Sequence, residues 1–261
     1  MIQLGKHQMS KIASLFEETK ETLIWSCLQG HMGNAWADCI ENPICAQILT
    51  GDFCFYAGES QTDEALLLVK NIPSFYNRPW ILMIPQNKFW GELIEQEYEN
   101  KFEKYNRYAI KKEKDIFDIE RLQSYLEKLP EGYDLLPIDE RLYILSSNEK
   151  WSSDFCSQFS SYNDYLERGI GFAILHAGKF VCGASSYTVY NEGIEIEIAT
   201  REEYRQKGLA TIWASKLIME CLKRGLYPSW DAANKESVAL AEKLGYHFDI
   251  EYITYEIDCI K

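Results

Sequence analysis

The stretch IEIEIAT, residues 194 to 200, constrains the fold of this chain more than any other. Strict alternation puts Ile194, Ile196 and Ile198 on one face of a strand and Glu195 and Glu197 on the other. The strand runs into a loop that gathers Arg201, Arg205 and Lys207 and ends at Gly208. A helix follows, with Ala210, Trp213, Ala214, Leu217, Ile218, Cys221 and Leu222 spaced as one buried face and Gly225 closing it. A strand, a glycine loop and the N-terminus of a helix together make a phosphate site, because the first N–H groups of a helix have no partners inside it. Glycine also reaches backbone angles closed to other residues, and a Cβ at 208 would hold a pyrophosphate away from those amides. The glycines of a dinucleotide fingerprint and the Gly-Lys-Ser/Thr of a Walker loop are both missing.

The neighbouring sequence supplies a sheet for this strand. GFAILHAGKFVCGASSYTVYNEGIEIEIAT reads as three strands in an antiparallel meander, with turns at AGK and NEG. After the helix come a short strand in YPSWDAA, a helix in KESVALAEKLG stopped by Gly245, and a strand in FDIEYITYEID. Upstream, Ile12, Leu15 and Phe16 have helical spacing, and the turn-rich GHMGNAWADCIENP follows. DFCFYAG, ALLLVKN and RPWILMIP are expected as strands, NKFWGELIEQEYENKF as a helix and KYNRYAIKK as a strand. A helical pattern at Ile119, Leu122, Leu126 and Leu129 leads into LEKLPEGYDLLPIDE, residues 126 to 140, the expected domain boundary. The division falls near residue 130, giving a mixed α/β domain over 1–130 and a second domain over 131–261.

At 261 residues the chain can bury two cores of ordinary size. Its formal net charge of −13 argues against nucleic acid as the main ligand and favours a cationic or neutral small molecule. The eight cysteines lie far apart, without ligand spacing, and are expected to be reduced thiols with no metal. The first residues, MIQLGKHQMSKIASLFEE, lack the apolar stretch of a signal peptide, and no segment approaches a membrane span. A soluble, cytoplasmic protein is the expectation.

Arg205-Gln206-Lys207-Gly208-Leu209-Ala210 resembles the Arg/Gln-x-x-Gly-x-Gly/Ala loop of the GNAT superfamily of acyl-CoA-dependent N-acetyltransferases. The resemblance extends through Asn234, Ser237 and the run from Ala239 to Tyr246, and covers about residues 132 to 257. It implies an α+β chain with the GNAT fold in its C-terminal half; whether the mixed α/β N-terminal domain is a degenerate GNAT-like copy stays open. The whole chain, with ADCIENP and GDFCFYAGE, is also similar to the family around the zwittermicin-resistance acetyltransferase, which implies an antibiotic-resistance role.

By that resemblance, acetyl-CoA is the cosubstrate. Its pyrophosphate would lie on the amides from Gln206 to Thr211, beside Arg205 and Lys207, with Leu209 and Ala210 in the first turn. Its pantetheine arm would pair with the open strand edge at Ile198, Ala199 and Thr200, as in edge-strand addition, with Asn234 and Ser237 alongside. The same strand end would present an N–H to the thioester oxygen. Asn234 can equally cap the helix that begins at Lys235, and Ser237 can be plain helix.

The expected nucleophile is an amine. Deprotonating a lysine-like ammonium at neutral pH costs roughly 4–5 kcal/mol, so a base is needed. Glu195 and Glu197 are the candidates, against the alternative that they form the solvated face of an alternating strand. Many members of the superfamily carry a tyrosine acid where Ala241 stands, so the acid role is unassigned. Tyr246 after the glycine is expected in the core, His31, His176 and His247 in surface or core roles, and Arg201 as a solvated charge. The aromatic residues Trp36, Phe53, Phe55, Tyr56, Phe75, Tyr76, Trp80 and Trp90 are expected to pack a core, with substrate lining as the other reading. The acceptor site is expected between the domains. The expected activity is acetyl transfer to a primary amine of a small molecule, such as an aminopolyol antibiotic or metabolite. Its rivals are a non-catalytic acyl-CoA sensor and a tandem aminoacyl or peptidyl transferase.

Overall fold

The computed structural model of the chain describes residues 1–259. They form two compact units, one of Met1–Arg107 joined by the stretch from Tyr252 onward, the other of Tyr108–Glu251.

The first unit opens with β1 (Ile2–Gln3), a 3-10 helix over Lys6–Phe16 and α1 (Thr22–Leu28). β2 (Asn34–Ala37), β3 (Cys45–Thr50) and β4 (Phe53–Gly58) follow, then α2 (Asp63–Lys70), β5 (Trp80–Pro85), α3 (Lys88–Glu97) and β6 (Phe102–Ile110). β4 and β5 pair in parallel, which requires a crossover, and α2 supplies it. ALLLVKN, expected as a strand, is therefore helical. Thr62 accepts from Ala65 N–H at the N-cap, and Asp63 and Glu64 occupy the first turn. Ala65, Leu68 and Val69 are buried while Leu67 is exposed, which is helical and not alternating burial. Trp90, Tyr56 and Trp36 join this core, as the aromatic composition predicts; Phe75 stays exposed.

The second unit holds α4 (Ile119–Leu126), β7 (Tyr133–Pro137), α5 (Glu140–Ser147), α6 (Tyr162–Arg168), β8 (Gly171–His176), β9 (Lys179–Tyr190) and β10 (Gly193–Thr200). It continues through α7 (Leu209–Lys223), β11 (Tyr227–Ser229), β12 (Asp231–Ala232), α8 (Lys235–Leu244) and the start of β13 (Phe248–Asp258). The sheet order is β11-β10-β9-β8-β7. β7 to β10 pair antiparallel, and β11 joins β10 in parallel after the α7 crossover. α7 buries Leu209, Ile212, Trp213, Leu217, Ile218 and Cys221 on this sheet.

The division between units does not fall in the Pro- and Gly-bearing stretch near residue 130. α4, ahead of that stretch, belongs with α7 in the second unit. The chain instead passes between units inside β6 and again inside β13. A boundary within a continuous strand has no linker composition to betray it.

Candidate functional site

β10 has unequal partners on its two edges. β9 accompanies it from Gly193 to Thr200, whereas the ladder to β11 covers only Gly193–Tyr227, Ile194–Pro228 and Glu195–Ser229. Beyond Ser229, Trp230 interrupts the strand, and β12 pairs with Tyr108 and Ala109 of β6 instead. Trp230 is buried, donates from Nε1 to Ser237 Oγ at 3.0 Å and meets Tyr246 edge-on. β10 and β11 therefore fork after Glu195, and Ile196 to Thr200 keep an open edge on the β11 side.

The far end of β10 is pinned to α7. Trp213 Nε1 donates to Cys182 Sγ, which lies 2.8 Å from Thr200 Oγ1. These contacts put α7 on the face that carries Ile194, Ile196, Ile198 and Thr200. Arg205 Nε donates to the carbonyl of Thr200 at 3.3 Å. Arg201 is not a solvated charge. It pairs with Glu149, donates to Phe180 O at 2.8 Å and lies 5.2 Å over Trp151.

The loop then makes a 3-10 turn at Glu202–Tyr204 and passes through positive φ at Gln206 (60°) and Gly208 (74°). Lys207 Nζ sits 4.5 Å over the Tyr204 ring, whose hydroxyl meets His176 Nδ1 at 3.1 Å; His176 in turn stacks on Tyr133. Gly208 is the N-cap of α7, and no side chain caps that end. Within the helix, Thr211 N–H finds Gly208 O at 3.2 Å. A Cβ at Gly208 would meet nothing within 4 Å, so its positive φ is the structural reason for glycine. Thr211 itself is buried and accepts from Lys243 Nζ at 3.1 Å, which sets a cation at the first turn of α7.

Glu195 and Glu197 occupy the opposite sheet face, the one on which Phe155 and Tyr165 crowd Gly183 and Gly171. Glu195 is only 4% exposed, so the solvated-face alternative fails for it; Glu197 is half-buried. Glu197 pairs across the sheet with Ser185, whose hydroxyl lies 2.9 Å from Tyr165 OH. Around Glu195 stand three tyrosines that sequence reasoning did not assign there. Tyr227 OH donates to Lys111 O and accepts from Glu113 N–H. Burial pushes its phenol up to about 12, with the charges of Glu113 and Glu195 adding. Tyr190 OH meets Ser229 Oγ at 2.9 Å, and Tyr246 OH donates to Pro228 O at 2.5 Å. Burial raises both phenols, and the charge of Glu195 contributes.

A strand fork beside an uncapped helix end, with carboxylates on the far face, is a specific arrangement. The sequence pattern of the GNAT acetyltransferase family matches residues 13–255. The chain belongs to the GNAT acetyltransferase family. A GCN5-related N-acetyltransferase-like protein from Streptococcus suis superimposes with a TM-score of 0.89 at 44% identity, covering 97% of this chain and 100% of that one. A GCN5-related N-acetyltransferase from Sphaerobacter thermophilus shares the fold over 98% of this chain and 95% of its own, with a TM-score of 0.59 at 12% identity. An uncharacterized N-acetyltransferase of Bacillus subtilis, YdfB, is 37% identical over 131 residues, 49% of each chain. The chain thus spans about half the length of that curated relative.

In this GNAT chain, Asn234 Oδ1 caps α8 by accepting from Ser237 N–H at 2.9 Å. Ala241 is fully buried, so no proton donor stands at that position. His247 pairs with Glu113 at 2.7 Å, and His31 lies in the first unit. Among the described residues all eight cysteines are free, no group of three or more His, Cys, Asp or Glu could hold a metal ion, and no helix is long and apolar enough to cross a membrane.

Proposed function

We propose that this GNAT chain moves an acetyl group from acetyl-CoA to a primary amine of a small molecule. The observation that carries the reading is the fork after Glu195 and Ser229, which leaves an open strand edge beside the uncapped start of α7. The uncapped amides and the positive end of the helix dipole suit a pyrophosphate, and Arg205 and Lys207 add charge. The main chain from Ile198 to Thr200 suits the amide-bearing arm. Asn234 and Ser237 keep hydrogens for that arm, because capping engages only Asn234 Oδ1 and Ser237 Oγ accepts from Trp230. Acetyl-CoA, when bound, supplies the acetyl group as a thioester.

Glu195 or Glu197 takes the proton of the ammonium, directly or through a water. The net charge of −13 gathers cationic acceptors. Ala241 and the engaged hydroxyl of Tyr246 leave the thiolate to depart without an acid, which a thiol of pKa about 8.5 tolerates near neutrality. Similarity to the zwittermicin-resistance family supports an aminopolyol as the acceptor.

A second reading, a non-catalytic acyl-CoA sensor, is favoured by that same buried alanine. Thermal stabilisation by CoA combined with a free-thiol assay over a library of amines separates the two. Thiol release with an amine supports the transferase, and stabilisation without release from any amine supports the sensor. Glu195→Gln and Glu197→Gln, made singly and together, then test the base. Turnover surviving both changes across pH 6 to 9 removes the base assignment.

A further inference from the structure

Thr188 faces Glu195 directly across the β9–β10 ladder. Residues so paired share a sheet face, with Cβ atoms about 5 Å apart. Thr188 is fully buried, and its Oγ1 has no hydrogen-bond partner in the protein. Buried hydroxyls in native proteins are satisfied as a rule, so an exception points to a role.

A β-bulge brings this threonine to the carboxylate. The register pairs Ser186 with Ile196 but Thr188 with Glu195, so Tyr187 is the extra residue on β9. Carried on without the shift, the Ser186 register would set Tyr187 beside Glu195. Bulges near active sites commonly re-aim one side chain, and this one exchanges a bulky phenol for a small hydroxyl. The other titratable groups around Glu195 are Tyr190 on β9, Tyr227 on β11, Tyr246 after α8 and Glu197 on its own strand, with Glu192 and Glu113 behind the first two tyrosines. Tyr227 and Tyr246 direct their hydroxyl hydrogens to main-chain carbonyls.

We propose that Thr188 is the positioning residue for Glu195: its hydroxyl donates to the carboxylate through one bridging water and holds it ionised and aimed. This rests on the reading of Glu195 as the base. The proton leaving the ammonium ends on Glu195, and Thr188 keeps its own. A donor to the ionised form lowers a carboxyl pKa, so losing the hydroxyl raises it.

The test uses the whole chain with 13C-labelled glutamate, the Glu195 carboxyl resonance being assigned by its disappearance in Glu195→Gln. In Thr188→Val the Glu195 titration moves up, a roughly three- to tenfold tighter proton. Thr188→Ser restores it. The acid limb of kcat moves with it for the amine giving most thiol release in the screen. Thr188→Ala replaces the valine variant should that fail to fold. An unmoved titration and pH profile in both hydroxyl-free variants overturn the proposal even when Glu195→Gln is inactive. An active Glu195→Gln instead overturns the base reading beneath it.

Discussion

Lys243 on α8 donates from Nζ to Thr211 Oγ1 at 3.1 Å. An acidic chain thereby holds a cation against the first turn of α7, where the helix dipole and the uncapped amides already favour an anion.

Lys243→Met should therefore weaken CoA binding by about 1 kcal/mol, close to fivefold, at low ionic strength. Calorimetric titration at rising salt checks this: the gap between variant and native protein should narrow as the charge is screened. Equal affinities at low salt would separate Lys243 from the coenzyme.

Gly208→Ala tests the loop itself. The added methyl meets nothing within 4 Å, but an alanine at φ of 74° costs about 1–2 kcal/mol. The variant should fold with a modestly lower Tm and lose most of the stabilisation that CoA gives the native protein. Gly208→Asn, a residue better suited to positive φ, should keep more of it. Full CoA stabilisation of the alanine variant would count against the phosphate loop.

Asp164 gives a pH signature for the second unit. It accepts from Arg168 Nε at 2.7 Å and from the N–H and hydroxyl of Ser160. The Arg168 hydrogen bond is the main reason its carboxyl falls from 3.8 to about 2. Because the folded value lies below the unfolded one, the stability it contributes is complete above pH 4 and disappears as pH falls through 2. Native protein and Asp164→Asn should thus differ in urea midpoint at pH 6 and converge towards pH 2.

Thiol labelling reports the two cores. Burial raises the thiols of Cys27, Cys54, Cys182 and Cys221 to about 12, and only Cys39 and Cys259 are partly exposed. A disulfide reagent at pH 8 should titrate no more than two thiols in the native protein and all eight after denaturation. Fast reaction of four or more would mean that the packing is looser than described.

Much of this was legible in the letters. The alternation at 194 to 200, the glycine before α7 and the cap at Asn234 each have a local cause, and local causes can be read from local sequence. ALLLVKN misled because five apolar residues in a row suit a buried strand as well as a helix; the cap at Thr62 with Asp63 and Glu64 was the available signal. Arg201 looked solvated because its partners Glu149, Trp151 and Phe180 are distant in the chain. The fork depends on Trp230 and on β12 turning to β6, and the bulge at Tyr187 on a register that only pairing reveals. The tyrosines around Glu195 come from three separate segments, and no spacing rule joins them.

Tyr255 and Ile257, near the end of β13, are almost fully buried in the core of the first unit, alongside Trp90 and Met83. On the ribosome, that unit must wait for its closing strand until the whole of the other has been synthesised. The segment from Tyr108 to Glu251 is complete earlier, so the unit begun first is the last to have all its strands. A stop codon just before Tyr252 would deprive the first-made half of its last strand and leave the later-made half with all its residues.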